Sequence, residues 1–218
     1  MADGPIKILV AEMIPSLNKG ELAILNGMLK SFETLGDVEV AVFSFCPEIE
    51  RTRYPCNVKL IDMNYNLHLK NLPHSQSKIY VQFAILFAAL QHLVFMFLYH
   101  VLRKKALRIM YKPLWKIYCE YDVFILCHDE VDIVNGCVLR FSPLYISWLA
   151  KTLRKPIVFY ANGTSQFASV WIWRLRTRIL WRLLARYLLS IVDLVTVREE
   201  GTYHYFKEIS GGKVPIYL

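Results

Sequence analysis

Three short runs decide the fold: IKILVA at residues 6–11, NKGELAIL at 18–25 and VEVAVF at 38–43. Lys7 is the only polar residue of the first run, which predicts a strand buried on both faces, as in a parallel sheet. Apolar residues at helical spacing follow, as far as Gly36, and the third run is a second strand. Two parallel strands joined by a helix place the intervening loop where the strands' carboxyl ends lie, the edge at which such sheets bind ligands.

Strand-like and helical patterns continue to alternate along the chain. Further strands are predicted at 58–62, 122–127, 157–161, 194–198 and 214–218, and further helices at 143–153, 169–191 and 200–209. This alternation predicts an α/β fold with a doubly wound, mostly parallel, Rossmann-like sheet. We interpret residues 1–218 as one such domain, with an apolar helical insertion at about 79–118.

The insertion contains a long uncharged run. Residues 79–102 carry no charged side chain, and as a helix they would extend about 36 Å, which is enough to cross a bilayer. A single crossing would, however, separate the first three strands from the later ones, so that one sheet could not form. We therefore favour a long helix that is buried or lies on the membrane, with a single-pass protein as the alternative.

The net charge of +8 is concentrated in two segments. Residues 103–118 and 169–192 contain eleven lysines and arginines and no acidic residue, which leaves a charge of −3 elsewhere. This distribution argues against a diffuse nucleic-acid-binding surface. Together with the 55% hydrophobic content, it predicts contact with an anionic membrane surface through 79–118 and 169–191, or else two solvated basic helix faces.

Cysteine usage and the start of the chain indicate the compartment. The five cysteines include no Cys-x-x-Cys pair, which predicts reduced thiols and no metal site. The first residues lack the basic flank and small-residue cleavage site of a signal peptide. We expect a cytoplasmic protein, peripheral at the inner membrane face.

Polar residues after the predicted strands are the candidate site. Asn18, Gly20 and Glu21 begin a helix whose outward N–H groups suit an anion or a sugar, although a capped turn would use the same residues. His128 and Asp129 follow the fourth strand and suit acid–base chemistry or a hard cation, or form only a polar surface loop. Further candidates for binding substrate come after the later strands: Asn135, Gly136, Asn162, Gly163, Thr164 and Arg198.

Five segments of the chain, in order, resemble the polysaccharide pyruvyl transferase family. They are residues 18–25, 121–136, 149–163, 193–200 and 214–217. The resemblance covers nearly the whole chain and corresponds to the amino-terminal half of a typical member. It implies one half of a B-type glycosyltransferase fold, with a second domain absent from this chain.

The resemblance also implies a reaction. Members transfer a pyruvyl group from phosphoenolpyruvate, a donor substrate rather than a cofactor, to a glycan of a cell-surface polymer. An acid must protonate the enol carbon, cations must hold the phosphate and carboxylate, and a base must take the proton of the attacking hydroxyl. Glu21 and Asp129 are the candidate catalytic residues. The matched positions that the resemblance places mainly on the acceptor side are Asn18, Gly20, Glu21, Asn162 and Arg198. No resident metal is implied.

Two other functions remain open. One is a B-type glycosyltransferase that uses a nucleotide sugar, and the other is a non-catalytic, membrane-associated glycan-binding half-domain. In either transferase, we expect this chain to need a second half for a complete active site. The expected acceptor is a glycan, polymeric or lipid-linked, and the pattern does not specify an oligomeric state.

Overall fold

One parallel sheet organises the molecule. The computed structural model describes residues 4–13, 19–44, 47, 51–55, 57–62, 90, 93–108, 112–127, 134–135, 138–139, 142–162, 183 and 185–218. The strands are β1 (Ile6–Met13), β2 (Val38–Ser44), β3 (Val58–Asp62), β4 (Val123–Leu126), β5 (Val134–Asn135), β6 (Val138–Leu139), β7 (Ile157–Asn162), β8 (Leu194–Val197) and β9 (Ile216–Tyr217).

Seven of these strands form a sheet with the order β3-β2-β1-β4-β7-β8-β9. Every pairing within it is parallel. The order runs outward in both directions from the β1–β4 pair, as in a doubly wound fold. The predicted α/β, Rossmann-like architecture is therefore confirmed. Strands β5 and β6 form a separate antiparallel pair that the sequence analysis did not predict, since two-residue strands carry no periodic signal.

Helices cover both faces of the sheet. They are α1 (Lys19–Phe32), α2 (Lys112–Glu120), α3 (Ser142–Leu153) and α4 (Glu200–Ser210), with 3₁₀ helices at Glu33–Leu35 and Arg103–Arg108. Residues 93–102 and 185–191 are also helical. α1 ends at Phe32 and continues as the 3₁₀ helix, which stops at the predicted Gly36, where a φ of 96° lies in a region that glycine tolerates best.

The core consists of two clusters, one on each face. Leu25 and Met28 of α1 pack with Ile8 and Val10 of β1 on the first face. The second face contains most of the other helices, and its cluster includes these buried residues: Leu9, Phe43, Tyr118, Phe124, Leu149, Phe159, Leu188 and Phe206. Neighbouring residues of β1 thus point to opposite clusters, and both clusters are apolar. This explains why Lys7 is the only polar residue among residues 6–11 of the first strand.

Two aspartates join neighbouring strands at their amino ends. Asp122 Oδ2 accepts the Lys7 N–H at 3.0 Å, and the Asp122 N–H donates to the Lys7 carbonyl at 2.7 Å. Asp193 repeats the arrangement with Ile157, through bonds of 2.9 and 3.0 Å. Each aspartate therefore satisfies a backbone donor at the start of the adjacent strand, the second N–H of β1 and the first N–H of β7, which fixes the register of β1 with β4 and of β7 with β8.

The apolar insertion is described in part. Residues 93–102 are helical and Arg103–Arg108 form a 3₁₀ helix, whereas the connection predicted at 64–78 and most of the run before residue 93 lie outside the described residues. Where the chain is described, no helix has the length and apolar character needed to span a bilayer.

Candidate functional site

The reversal of strand order between β1 and β4 marks the candidate site. Helix α1, after β1, packs on one face of the sheet, and α3, after β4, packs on the other. In doubly wound sheets, the position where successive helices change from one face to the other is where ligands bind. We call the side of the sheet where the strands end the carboxyl edge, and the predicted site residues follow strands that end there.

The first turn of α1 lies directly beyond β1. Gly20 is exposed in this turn, and Glu21 is the next residue of the helix. β1 is irregular just before this point, because Val10 pairs with Val42 while Met13 pairs with Phe43. Such irregularities redirect a strand at its end and recur beside functional sites.

The carboxyl end of β7 has a bulge with a strained residue. Phe159 pairs with Val195 and Asn162 with Val197, so β7 has one residue more than β8 between the two pairs. Ala161, within the bulge, takes a φ of 53°, in the left-handed region that costs a non-glycine residue roughly 1–2 kcal/mol. Its N–H donates to Thr196 Oγ1 at 2.8 Å, which holds this conformation.

This bulge positions a predicted site residue. Asn162 is the last residue of β7 rather than part of a loop, and it directly follows the strained Ala161. Strained backbone is frequent at functional sites. Sequence reasoning missed the part played by Thr196. A threonine in a strand gives no local sign that its hydroxyl binds a residue 35 positions earlier.

Arg198 lies at the same edge, one strand further along. It follows the last residue of β8, is exposed, and immediately precedes Glu199 and helix α4. The amino ends of α1 and α4 therefore both lie at the carboxyl edge. Each contributes the partial positive charge of a helix start, to which Arg198 adds a full charge. The guanidinium of Arg198 is suited to an anionic ligand, whereas the exposed carboxylates of Glu199 and Glu200 beside it are not.

The remaining predicted residues are only partly described. Asn135 lies in β5, which pairs with β6 through Asn135 and Val138. The other predicted positions lie outside the described residues: Asn18, His128, Asp129, Gly136, Gly163 and Thr164. The structure thus brings Gly20, Glu21, Asn162 and Arg198 to one edge of one sheet. Their roles stay predictions.

Metal ligation and a raised tyrosine pKa are two further features that bear on the chemistry of the described residues. Among the described residues, no three or more histidine, cysteine or acidic side chains are grouped so that they could hold a metal ion. Burial, followed by the nearby carboxylates of Glu120 and Glu39, raises the pKa of Tyr121 to about 12. Tyr121 lies two residues before β4, at the amino ends of the strands, so this shift reflects packing at the edge opposite the candidate site.

Comparison with known proteins identifies the family. The family model described as polysaccharide pyruvyl transferase matches residues 18–216. This chain belongs to that family. The match begins at the predicted loop before α1 and continues to β9, so all the candidate site residues fall inside it.

A search of curated proteins found no match to this chain. Membership of the polysaccharide pyruvyl transferase family therefore rests on the family model, together with the α/β sheet that the resemblance implied.

Proposed function

We propose that the protein transfers a pyruvyl group from phosphoenolpyruvate to a glycan in cell-surface polysaccharide biosynthesis. The family match over residues 18–216 is the observation that carries this proposal. The placement of the described candidate residues at one edge supports it, because two reactants must meet in one crevice for the transfer to occur. The proposed acceptor is a polymeric or lipid-linked glycan at the inner membrane face.

The proposed chemistry is a ketal formation. The methylene carbon of phosphoenolpyruvate gains a proton and becomes a methyl group, and two acceptor hydroxyl oxygens bond to the central carbon of phosphoenolpyruvate. The bond from this carbon to the phosphate oxygen breaks. Of the two protons that the hydroxyls lose, one balances the proton gained by the methyl group and the other leaves with the phosphate. Glu21 and Asp129 are the proposed acid–base pair, and their carboxyls suit both proton steps.

Acceptor binding is proposed for Asn18, Gly20, Asn162 and Arg198. Amide and backbone donors suit sugar hydroxyls. Arg198 suits an anionic group, such as a uronate or the phosphate of a lipid carrier, because guanidinium binds such groups in a bidentate manner. We propose that the cations that hold the donor come from a second α/β half, as the resemblance implies.

The test is a transfer assay with the protein as it is encoded. The protein is incubated with phosphoenolpyruvate and envelope glycans. Phosphate release is then followed, and the new ketal methyl group is detected by NMR. We expect phosphate release only when both substrates are present. Binding of a nucleoside diphosphate without binding of phosphoenolpyruvate would instead support the glycosyltransferase alternative, and glycan binding without turnover would support the binding-module alternative.

Matched pairs of variants test whether the transfer activity depends on residues at the carboxyl edge of the sheet. Glu21→Gln is expected to lower kcat, whereas Glu33→Gln, an exposed carboxyl after the far end of α1, should not. Arg198→Ala is expected to raise the KM for an anionic acceptor roughly ten- to a hundred-fold, the effect of losing a charged hydrogen bond. Arg154→Ala is its control, because Arg154 is an exposed arginine just before β7, at the opposite edge.

A further inference from the structure

Helical residues 93–102 have apolar side chains on two opposite faces. The inward face packs on α3, where Phe95 and Tyr99 contact Trp148 with ring centroids 5.9 and 5.4 Å apart. These aromatic contacts anchor the helix to the core cluster, to which Phe95 belongs. The segment is therefore a fixed part of the fold, and its outward face is held in place.

The outward face is an exposed apolar strip. We define the strip as Leu93, Val94, Phe97 and Val101, whose spacing places them on one side of a helix. Phe97 is 68% exposed and Val101 is 59% exposed. Isolated exposed apolar residues are common, but an aligned row on one helix marks an interaction surface.

The charge next to the strip indicates the kind of partner. No acidic residue occurs between Asp62 and Glu120, an interval that contains eight lysines and arginines. Arg103 and Lys105 directly follow the helix and are exposed. The surface thus offers apolar side chains beside positive charge, with no carboxylate in this interval of sequence. A partner that fits it must be apolar and anionic together.

A second helical segment on the same face of the sheet repeats this composition. Ala185, Leu188 and Leu189 point into the core cluster that also contains Phe95. Leu183 and Tyr187, four residues apart, are exposed, as is Arg186.

We propose that the protein docks on an anionic lipid bilayer through the strip, with Arg103 and Lys105 at the headgroups. A bilayer supplies acyl chains for the strip and negative charge for the adjacent lysine and arginine, and it needs no complementary shape. A helix in this position lies in the plane of the interface. The proposal concerns a binding surface and is independent of the transferase activity.

The test is flotation of the full chain with vesicles of phosphatidylcholine alone or mixed equally with phosphatidylglycerol. We expect the protein to float with the mixed vesicles at low salt, and much less at high salt or with neutral vesicles. Phe97→Ser combined with Val101→Ser should weaken binding roughly ten-fold or more. The matched control is Leu35→Ser with Tyr217→Ser, two equally exposed apolar residues elsewhere.

Charge reversal gives a second, independent test that leaves the apolar strip intact. Arg103→Glu with Lys105→Glu should abolish flotation with the mixed vesicles, whereas Lys30→Glu with Lys213→Glu, with the same change in net charge, should largely retain it. Circular dichroism of each variant verifies folding.

Three results would overturn the proposal. The first is a wild-type protein that stays at the bottom with anionic vesicles at low salt. The second is equal loss of binding in the test and control variants. The third is a dimer, detected by analytical ultracentrifugation, that the Phe97 and Val101 substitutions dissociate without changing flotation, since the strip would then bind a second copy of this chain.

Discussion

Replacing Thr196 with valine tests whether one hydroxyl holds the bulge at the carboxyl edge. Thr196 Oγ1 accepts the Ala161 N–H at 2.8 Å, and Ala161 has a φ of 53°. Valine preserves the shape and β-branching of the side chain and removes only the acceptor. The substitution therefore leaves a partly buried N–H without this partner.

Two opposing effects determine how much the substitution lowers the free energy of unfolding. An unsatisfied buried donor costs about 1–3 kcal/mol. Part of this cost is offset when Ala161 relaxes from the left-handed region, whose strain is about 1–2 kcal/mol. We expect Thr196→Val to lower the free energy of unfolding by about 1–2 kcal/mol, which for a chain of this size corresponds to a fall in Tm of roughly 2–8 °C.

Urea unfolding, followed by circular dichroism, measures this change. Thr196→Ser keeps the acceptor and should lose less than half as much stability as the valine variant. Ala161→Gly should be neutral or stabilising because glycine adopts a positive φ without strain. Ala41→Gly, in a regular part of β2, should be clearly destabilising. Equal losses in the serine and valine variants, or a destabilising Ala161→Gly, would refute the reasoning.

Three further predictions concern stability. Asp193→Ala removes the acceptor of the Ile157 N–H and should cost about 1–3 kcal/mol in urea unfolding, with Asp193→Asn losing less because it keeps one acceptor oxygen. The raised pKa of Tyr121 means that its hydroxyl binds the proton more tightly in the folded than in the unfolded state. The free energy of unfolding should therefore be constant below about pH 10 and decline as the pH rises to about 12. Urea unfolding of Tyr121→Phe at a series of pH values should show a flatter decline. Ser147 is fully buried in α3, and its hydroxyl has no hydrogen-bond partner among the described residues. Ser147→Ala should therefore increase the free energy of unfolding by about 1 kcal/mol and raise Tm. A lower Tm would contradict this expectation.

The sequence predicted the sheet well because its signal is local. A run with one polar residue in six, such as residues 6–11, predicts a strand buried on both faces, and that strand occurs in the structure. Helix ends were equally predictable where glycine sets them, as at Gly36. The candidate edge followed from the same reasoning, since the carboxyl ends of parallel strands coincide.

The geometry within that edge was not predictable, because it depends on pairs of residues far apart in the chain. The Ala161 N–H donates to Thr196 Oγ1 and stabilises the bulge. At the other edge, the Ile157 N–H donates to Asp193 Oδ2 and fixes the strand register. Neither partner carries a periodic pattern that would reveal the pair. An aspartate before a strand is indistinguishable, in one sequence, from any other polar residue that ends a turn.

The two edges of the sheet differ in a way that bears on function. At the amino ends, Asp122 and Asp193 form reciprocal backbone bonds that lock neighbouring strands in regular register. At the carboxyl ends, β1 and β7 both depart from regular pairing, and Ala161 is strained. Selection for stability alone would favour regular pairing at both edges, because strain lowers stability wherever it occurs. The contrast therefore supports a functional origin for the irregular edge. The two edges can also be distinguished by experiment. Substitutions of Asp122 or Asp193 should change the free energy of unfolding far more than the rate of pyruvyl transfer. Substitutions of Arg198 should change the transfer rate far more than the free energy of unfolding.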